Sequence, residues 1–113
     1  PQDFIYLANG SPSKLIESIN IWNNLPNNIK EEINKPIKNL YLVFTLAKNI
    51  TDELDSAQQE FLINYLQYHW WKKTKNKQII KMLENIKNNL KNHIQPRLSW
   101  EVSLLKIALE YDI

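Results

Sequence analysis

Chemistry in this sequence has few places to sit. His69 and His93 are the only histidines, far apart, each among apolar residues at helical spacing. A bound metal ion or a general base needs a partner at ligand spacing on the same face, and neither histidine has one in the sequence. Asp52, Glu53 and Asp55 crowd together but lack the glycine and the alternating acidic ligands of a calcium loop. Carboxylates so placed suit the positive end of a helix dipole. The absence of cysteine removes disulfides, thiolate-bound zinc and thiol nucleophiles together, and fits a reducing compartment. There is no Gly-x-x-x-x-Gly-Lys loop and no Ser/His/Asp arrangement. Catalytic, cofactor and metal sites are therefore expected to be none, and the chain by itself is not expected to be an enzyme or to take a small-molecule substrate.

Two stretches have the residue types for binding. Trp70-Trp71-Lys72-Lys73, followed by Lys75 and Lys77, sets aromatic rings beside ammonium groups. Such a pattern stacks bases and neutralises phosphates. The same residues also read as a core tryptophan, Trp70, followed by lysines that solvate the negative end of a helix. The second stretch runs from Ile94 to Leu105. Pro96 suits the first turn of a helix, and Arg97 and Glu101, four apart, share a face. Leu98, Val102, Leu105 and Leu109 form one apolar stripe; Trp100, Leu104, Ile107 and Tyr111 form another. A helix apolar on two sides must be covered on two sides. It is either the central helix of a bundle or half of it faces another subunit.

The elements that would position these residues are helices. The 113 residues suffice for one compact domain, and 43% are hydrophobic. The single glycine, Gly10, argues against an all-β fold. A net charge of +2, from 14 basic and 12 acidic side chains, implies a weak overall field. No apolar run approaches the roughly 20 residues that span a membrane, and no secretory signal opens the chain. The start at Pro1, without methionine, suggests a fragment of a longer protein.

Residues 1–10 read as the tail of a preceding element with Gly10 as a left-handed cap. Ser11 or Ser13 caps a helix over about 12–25, with Leu15, Ile19 and Trp22 on one face. A short helix over 26–34 carries Ile29 and Ile33. A third runs from Pro36 to about Lys48 through Ile37, Leu40, Tyr41, Phe44 and Ala47. Residues 40–46 are rich in β-formers, but no partner strand is in sight. Ser56 with Gln59 matches a capping box for a central helix ending near Lys73. A fifth helix, about 77–93, places Ile79, Leu83, Ile86 and Leu90 on its stripe. The expected fold is all-α, a compact bundle of five to six helices.

Two motifs carry a resemblance to a known family. Leu7-Ala8-Asn9-Gly10-Ser11-Pro12-Ser13 is similar to the Leu-Ala-x-Gly-Ser-Pro-Gly segment that starts the last lid helix in bacterial DNA polymerase III delta-prime subunits, clamp-loader proteins of the AAA+ class. Ile94-Gln95-Pro96-Arg97-Leu98-Ser99-Trp100-Glu101-Val102-Ser103-Leu104-Leu105 resembles the Asn-x-Arg-Leu-x-x-Glu-x-Leu-Leu-Leu signature of the final collar helix, which also occurs in gamma/tau subunits. Residues 54–71 look like the long collar helix of the cyanobacterial type of delta-prime. Ser13 stands where the family usually has glycine, and Gln95 and Pro96 replace the usual asparagine and its neighbour. Lys14 is the only basic residue near the first motif, where ATP-hydrolysing relatives tend to carry a nucleotide-sensing arginine.

The resemblance implies residues 1–11 as the tail of an AAA+ lid and 12–113 as a helical collar domain of clamp-loader type. Its expected work is assembly: holding the loader together in the cytoplasm while it loads the sliding clamp during DNA replication. The expected partners are the gamma/tau and delta subunits; clamp and primed DNA are met only through the complex. Delta-prime itself is not expected to hydrolyse ATP. The interface candidates are Arg97, Trp100, Glu101, Leu104, Ile107 and Tyr111, with the Leu98 stripe closing the domain's own core. The alternatives are a gamma/tau collar, or a helical nucleic-acid-binding domain using Trp70, Trp71, Lys72, Lys73, Lys75 and Lys77.

Overall fold

A computed structural model describes residues 10–34 and 39–110. Six helices form among these residues: α1 Pro12–Asn24, α2 Asn27–Asn34, α3 Leu40–Glu53, α4 Ser56–Thr74, α5 Lys77–Lys91 and α6 Pro96–Glu110. The expected tail over residues 1–9, the helix start at Pro36 and Ile37, and Tyr111 lie outside the described residues.

Local chemistry sets most helix ends. Of Ser11 and Ser13, Ser11 is the cap, its Oγ accepting from the Lys14 N–H at 3.4 Å with Pro12 in the first turn. Asn39 caps α3 through Oδ1 and the Tyr41 N–H at 2.9 Å. Asn76 caps α5 through the Gln78 N–H at 2.8 Å. The capping box of α4 is one residue earlier than the expected Ser56–Gln59 pair. Asp55 Oδ1 accepts from the Gln58 N–H at 2.8 Å, and the Asp55 N–H donates to Gln58 Oε1 at 3.0 Å. A carboxylate is the better cap at a helix's positive end. The shift has a consequence, because it turns Gln59 into the interior.

Gln59 is 5% exposed. Its Nε2 donates to the Leu54 carbonyl at 3.0 Å, and its Oε1 accepts from the Trp100 indole N–H at 3.0 Å. Leu54 is the C-terminal cap of α3. One carboxamide therefore ties the end of α3, the first turn of α4 and the middle of α6.

The core builds around this link. α4 is the central helix, burying Phe61, Leu62, Ile63, Tyr65, Leu66 and Trp70. α5 packs along α4 through Ile79, Leu83 and Ile86, and α6 lies against both α3 and α5. Asn89 of α5 donates to Ser99 Oγ of α6 at 2.9 Å, fixing the α5–α6 corner. α3 buries Val43, Leu46, Ala47 and Ile50, which repeat at helical spacing. The expected stripe through Leu40, Tyr41 and Phe44 is corrected: all three are exposed, and only Ala47 of that set is inside. The true inward face lies roughly a third of a turn away, at the β-branched and small residues. α1 is peripheral. Trp22 meets Tyr65 at 4.8 Å between ring centroids, while Ile16 and Ile19 stand in solvent. The Cα radius of gyration of 13.4 Å matches the ~13 Å of a compact domain of this length.

Three substitutions separate these readings in urea unfolding. Gln59→Leu leaves the Trp100 indole N–H and the Leu54 carbonyl unpaired and is expected to cost about 1–3 kcal/mol. Asp55→Ala is expected to cost about 1 kcal/mol and Ser56→Ala next to nothing; equal losses at 55 and 56 would contradict the observed cap.

Candidate subunit interface

α6 presents the two apolar stripes expected of it, with the sides exchanged. Trp100, Leu104 and Ile107 are 0% exposed and belong to the domain's own core, together with Ser103. Leu98, Val102 and Leu109 are 51%, 42% and 66% exposed, while Leu105 of the same stripe is half-buried against the core. At about 100° per residue the two sets lie roughly 180° apart around the helix. The expectation that the Trp100 stripe meets a neighbour and the Leu98 stripe closes the core is therefore corrected. The physical reason is the indole N–H: a buried tryptophan needs an acceptor, and Gln59 supplies one only if Trp100 points inward. Leu104 and Ile107 follow on the same face.

The outward stripe opens onto a groove between α5 and α6 of about 320 Å³. Met82 from α5 and Leu98 and Val102 from α6 give it apolar walls, and Ile94, 50% exposed, stands at its end. Asn85, Asn89 and Lys106 supply polar edges. Around α6 the Arg97–Glu101 pair borders the other side of the stripe. Arg97 Nε donates to Glu101 Oε1 at 3.0 Å, with the arginine half exposed and the carboxylate less so. So exposed a helical pair adds a few tenths of a kcal/mol to folding, and both groups remain within reach of a docked partner. A second apolar surface, absent from the sequence-based set, lies on α3, where Leu40, Tyr41, Leu42 and Phe44 are all exposed.

The tryptophan–lysine stretch divides. Trp70 is core, 1% exposed. Trp71 lines a larger, open cleft of about 750 Å³ between α4 and α5, and Lys77 lines it from the other side. Lys75 lies over the Trp71 ring at 5.5 Å and Lys72 over the Tyr68 ring at 5.0 Å. Lys73 is exposed in the last turn of α4. Neither histidine joins a cluster: His69 stacks on Tyr65 at 5.4 Å, and His93 is exposed at the α5–α6 turn with φ 56°. The expected helical spacing through His93 is corrected: α5 ends at Lys91, and His93 lies in the turn beyond it. Among the described residues no group of three or more His, Asp or Glu is placed to hold a metal ion. No helix of the described residues is long and apolar enough to cross a membrane.

Residues 1–107 match the family model for the cyanobacterial DNA polymerase III delta prime C-terminal domain. The chain belongs to that family. No match was found among curated proteins or among solved structures. The match takes in both motifs that carry the resemblance, the Leu7–Ser13 segment and the Ile94–Leu105 stretch. The described residues of this family member form an all-α bundle whose last helix is apolar on both sides, one of them largely exposed in the single chain.

Chemical denaturation distinguishes the two stripes. Leu104→Ala is expected to cost about 2–5 kcal/mol, and Leu98→Ala or Val102→Ala less than about 0.5 kcal/mol. The opposite ranking would return the Leu98 stripe to the core.

Proposed function

We propose that this domain is the collar of a clamp-loader delta-prime subunit, and that it works by holding the loader's subunits together. The observation that carries the reading is the uncovered stripe of Leu98, Val102 and Leu109 on α6, beside the α5–α6 groove. Contiguous exposed apolar side chains rimmed by polar groups are the usual mark of a protein–protein contact. The partners in this reading are the gamma/tau and delta subunits, through their own helical domains.

The mechanism is binding energy without chemistry. Removing apolar side chains from water gains about 25 cal/mol per Å². A collar held in this way keeps the nucleotide-binding modules of the assembly at high effective concentration while leaving them free to move. Arg97 and Glu101, at the border of the stripe, fix the register of the contact more than its strength, as charges at an interface rim do. Sliding clamp and primed DNA are then met through the assembled loader.

The test uses the full-length subunit mixed with its gamma/tau and delta partners and followed by sedimentation velocity. Leu98→Asp with Val102→Asp is expected to weaken assembly at least about tenfold, since burying two unpaired carboxylates is strongly unfavourable. Its melting curve is expected to stay near that of the parent protein. Unchanged assembly would sink the proposal. Glu101→Lys is expected to weaken assembly less, again with nearly unchanged thermal stability; a large stability loss would place Glu101 inside the fold.

A further inference from the structure

The α4–α5 cleft is a separate surface from the groove used above. Lys77 and Lys81 face it from α5, roughly 100° around that helix from Met82, Asn85 and Asn89. Its volume of about 750 Å³ is that of a ligand site. Tyr68 and Trp71 furnish aromatic walls, and the carboxamide of Asn64 adds hydrogen-bonding capacity.

Both charged residues that line it, Lys77 and Lys81, are basic. Between Trp71 and Leu83 the sequence holds Lys72, Lys73, Lys75, Lys77 and Lys81 and no carboxylate. Among the described residues, Lys73, Lys77 and Lys81 have no carboxylate within ion-pair distance. Glu84, one turn beyond, is engaged by Gln67 Nε2 at 3.0 Å and Lys87 at 4.0 Å. Lys72 and Lys75 lie against the rings of Tyr68 and Trp71, so cation and π-face sit together at the rim. Planar bases use aromatic faces, phosphates use the ammonium groups, and base edges use a carboxamide. An acidic peptide would answer the lysines but make less use of two flat rings.

We propose that this cleft binds single-stranded DNA without sequence preference, bases against Tyr68 and Trp71 and phosphates on Lys77 and Lys81. The contact is independent of the assembly surface on α6. It gives the domain a direct hold on an unpaired strand.

Fluorescence anisotropy of a labelled oligothymidylate of about 16 nucleotides with the 113-residue chain tests this. Binding is expected at about 50 mM salt and is expected to weaken steeply by about 200 mM. Trp71→Ala weakens it at least about fivefold while Trp71→Phe retains it, because stacking needs a ring of either kind. Lys77→Glu with Lys81→Glu flattens the log–log salt slope by about 1.4, the share of two phosphates on a single strand. Lys106→Glu, at the other groove, changes neither, and Leu98→Asp with Val102→Asp leaves DNA binding intact even where assembly is lost. Three results would overturn the proposal: no binding at the lower salt, equal loss from Lys106→Glu and the Lys77/Lys81 pair, or competition by polyglutamate as strong as by unlabelled oligonucleotide. Melting curves of each variant confirm that the chain remains folded.

Discussion

The arrangement of this domain depends on where one indole N–H finds its acceptor. Trp100 is the largest side chain of α6 and is fully buried. Its polar atom must be satisfied inside the protein, and the carboxamide of Gln59, forty-one residues away in sequence, does so. The same carboxamide spends its donor on the Leu54 carbonyl at the end of α3. Breaking either bond leaves a buried polar group bare, at about 1–3 kcal/mol. The link therefore fixes the rotation of α6 about its own axis, and with it the side of α6 that is left outside.

That rotation gives the last helix one covered and one exposed apolar side. Trp100, Leu104 and Ile107 close the core against α3 and α5, and Leu98, Val102 and Leu109 are turned away from it. A side chain of leucine or valine gains as much by burial in a partner as in its own core, so an outward stripe is poised for a second subunit. The lysines at the α4–α5 end serve a different face. Their hydrated ammonium groups disfavour a dry apolar contact and favour a wet polyanion.

Helix content, helix order and most of the core were legible from spacing, since periodic apolar residues and asparagine or serine caps act locally. α5 is the plainest case: Ile79, Leu83 and Ile86 were assigned and are buried. The failures occur where two local choices were nearly equal. Asp55 and Ser56 are both good caps, and choosing the second hid the inward turn of Gln59. Both stripes of α6 are apolar, so periodicity alone has no preference between them, and only the distant carboxamide decides. On α3, apolar residues occur on most of the circumference, and the stripe drawn through Leu40, Tyr41 and Phe44 was the wrong one. One signal was available for α6: a tryptophan inside a helix demands a buried acceptor, and glutamine in the first turn of the central helix is a natural donor of one.

The Leu98–Val102 side of α6 faces solvent in the single chain and, in the proposed assembly, a neighbouring subunit. The chain has no cysteine, so Val102→Cys introduces a single thiol at that surface. Its alkylation rate, measured with and without the partner subunits, tests the claim directly. Rapid alkylation is expected in the chain alone and strong protection in the complex. Equal rates in the two states would contradict it.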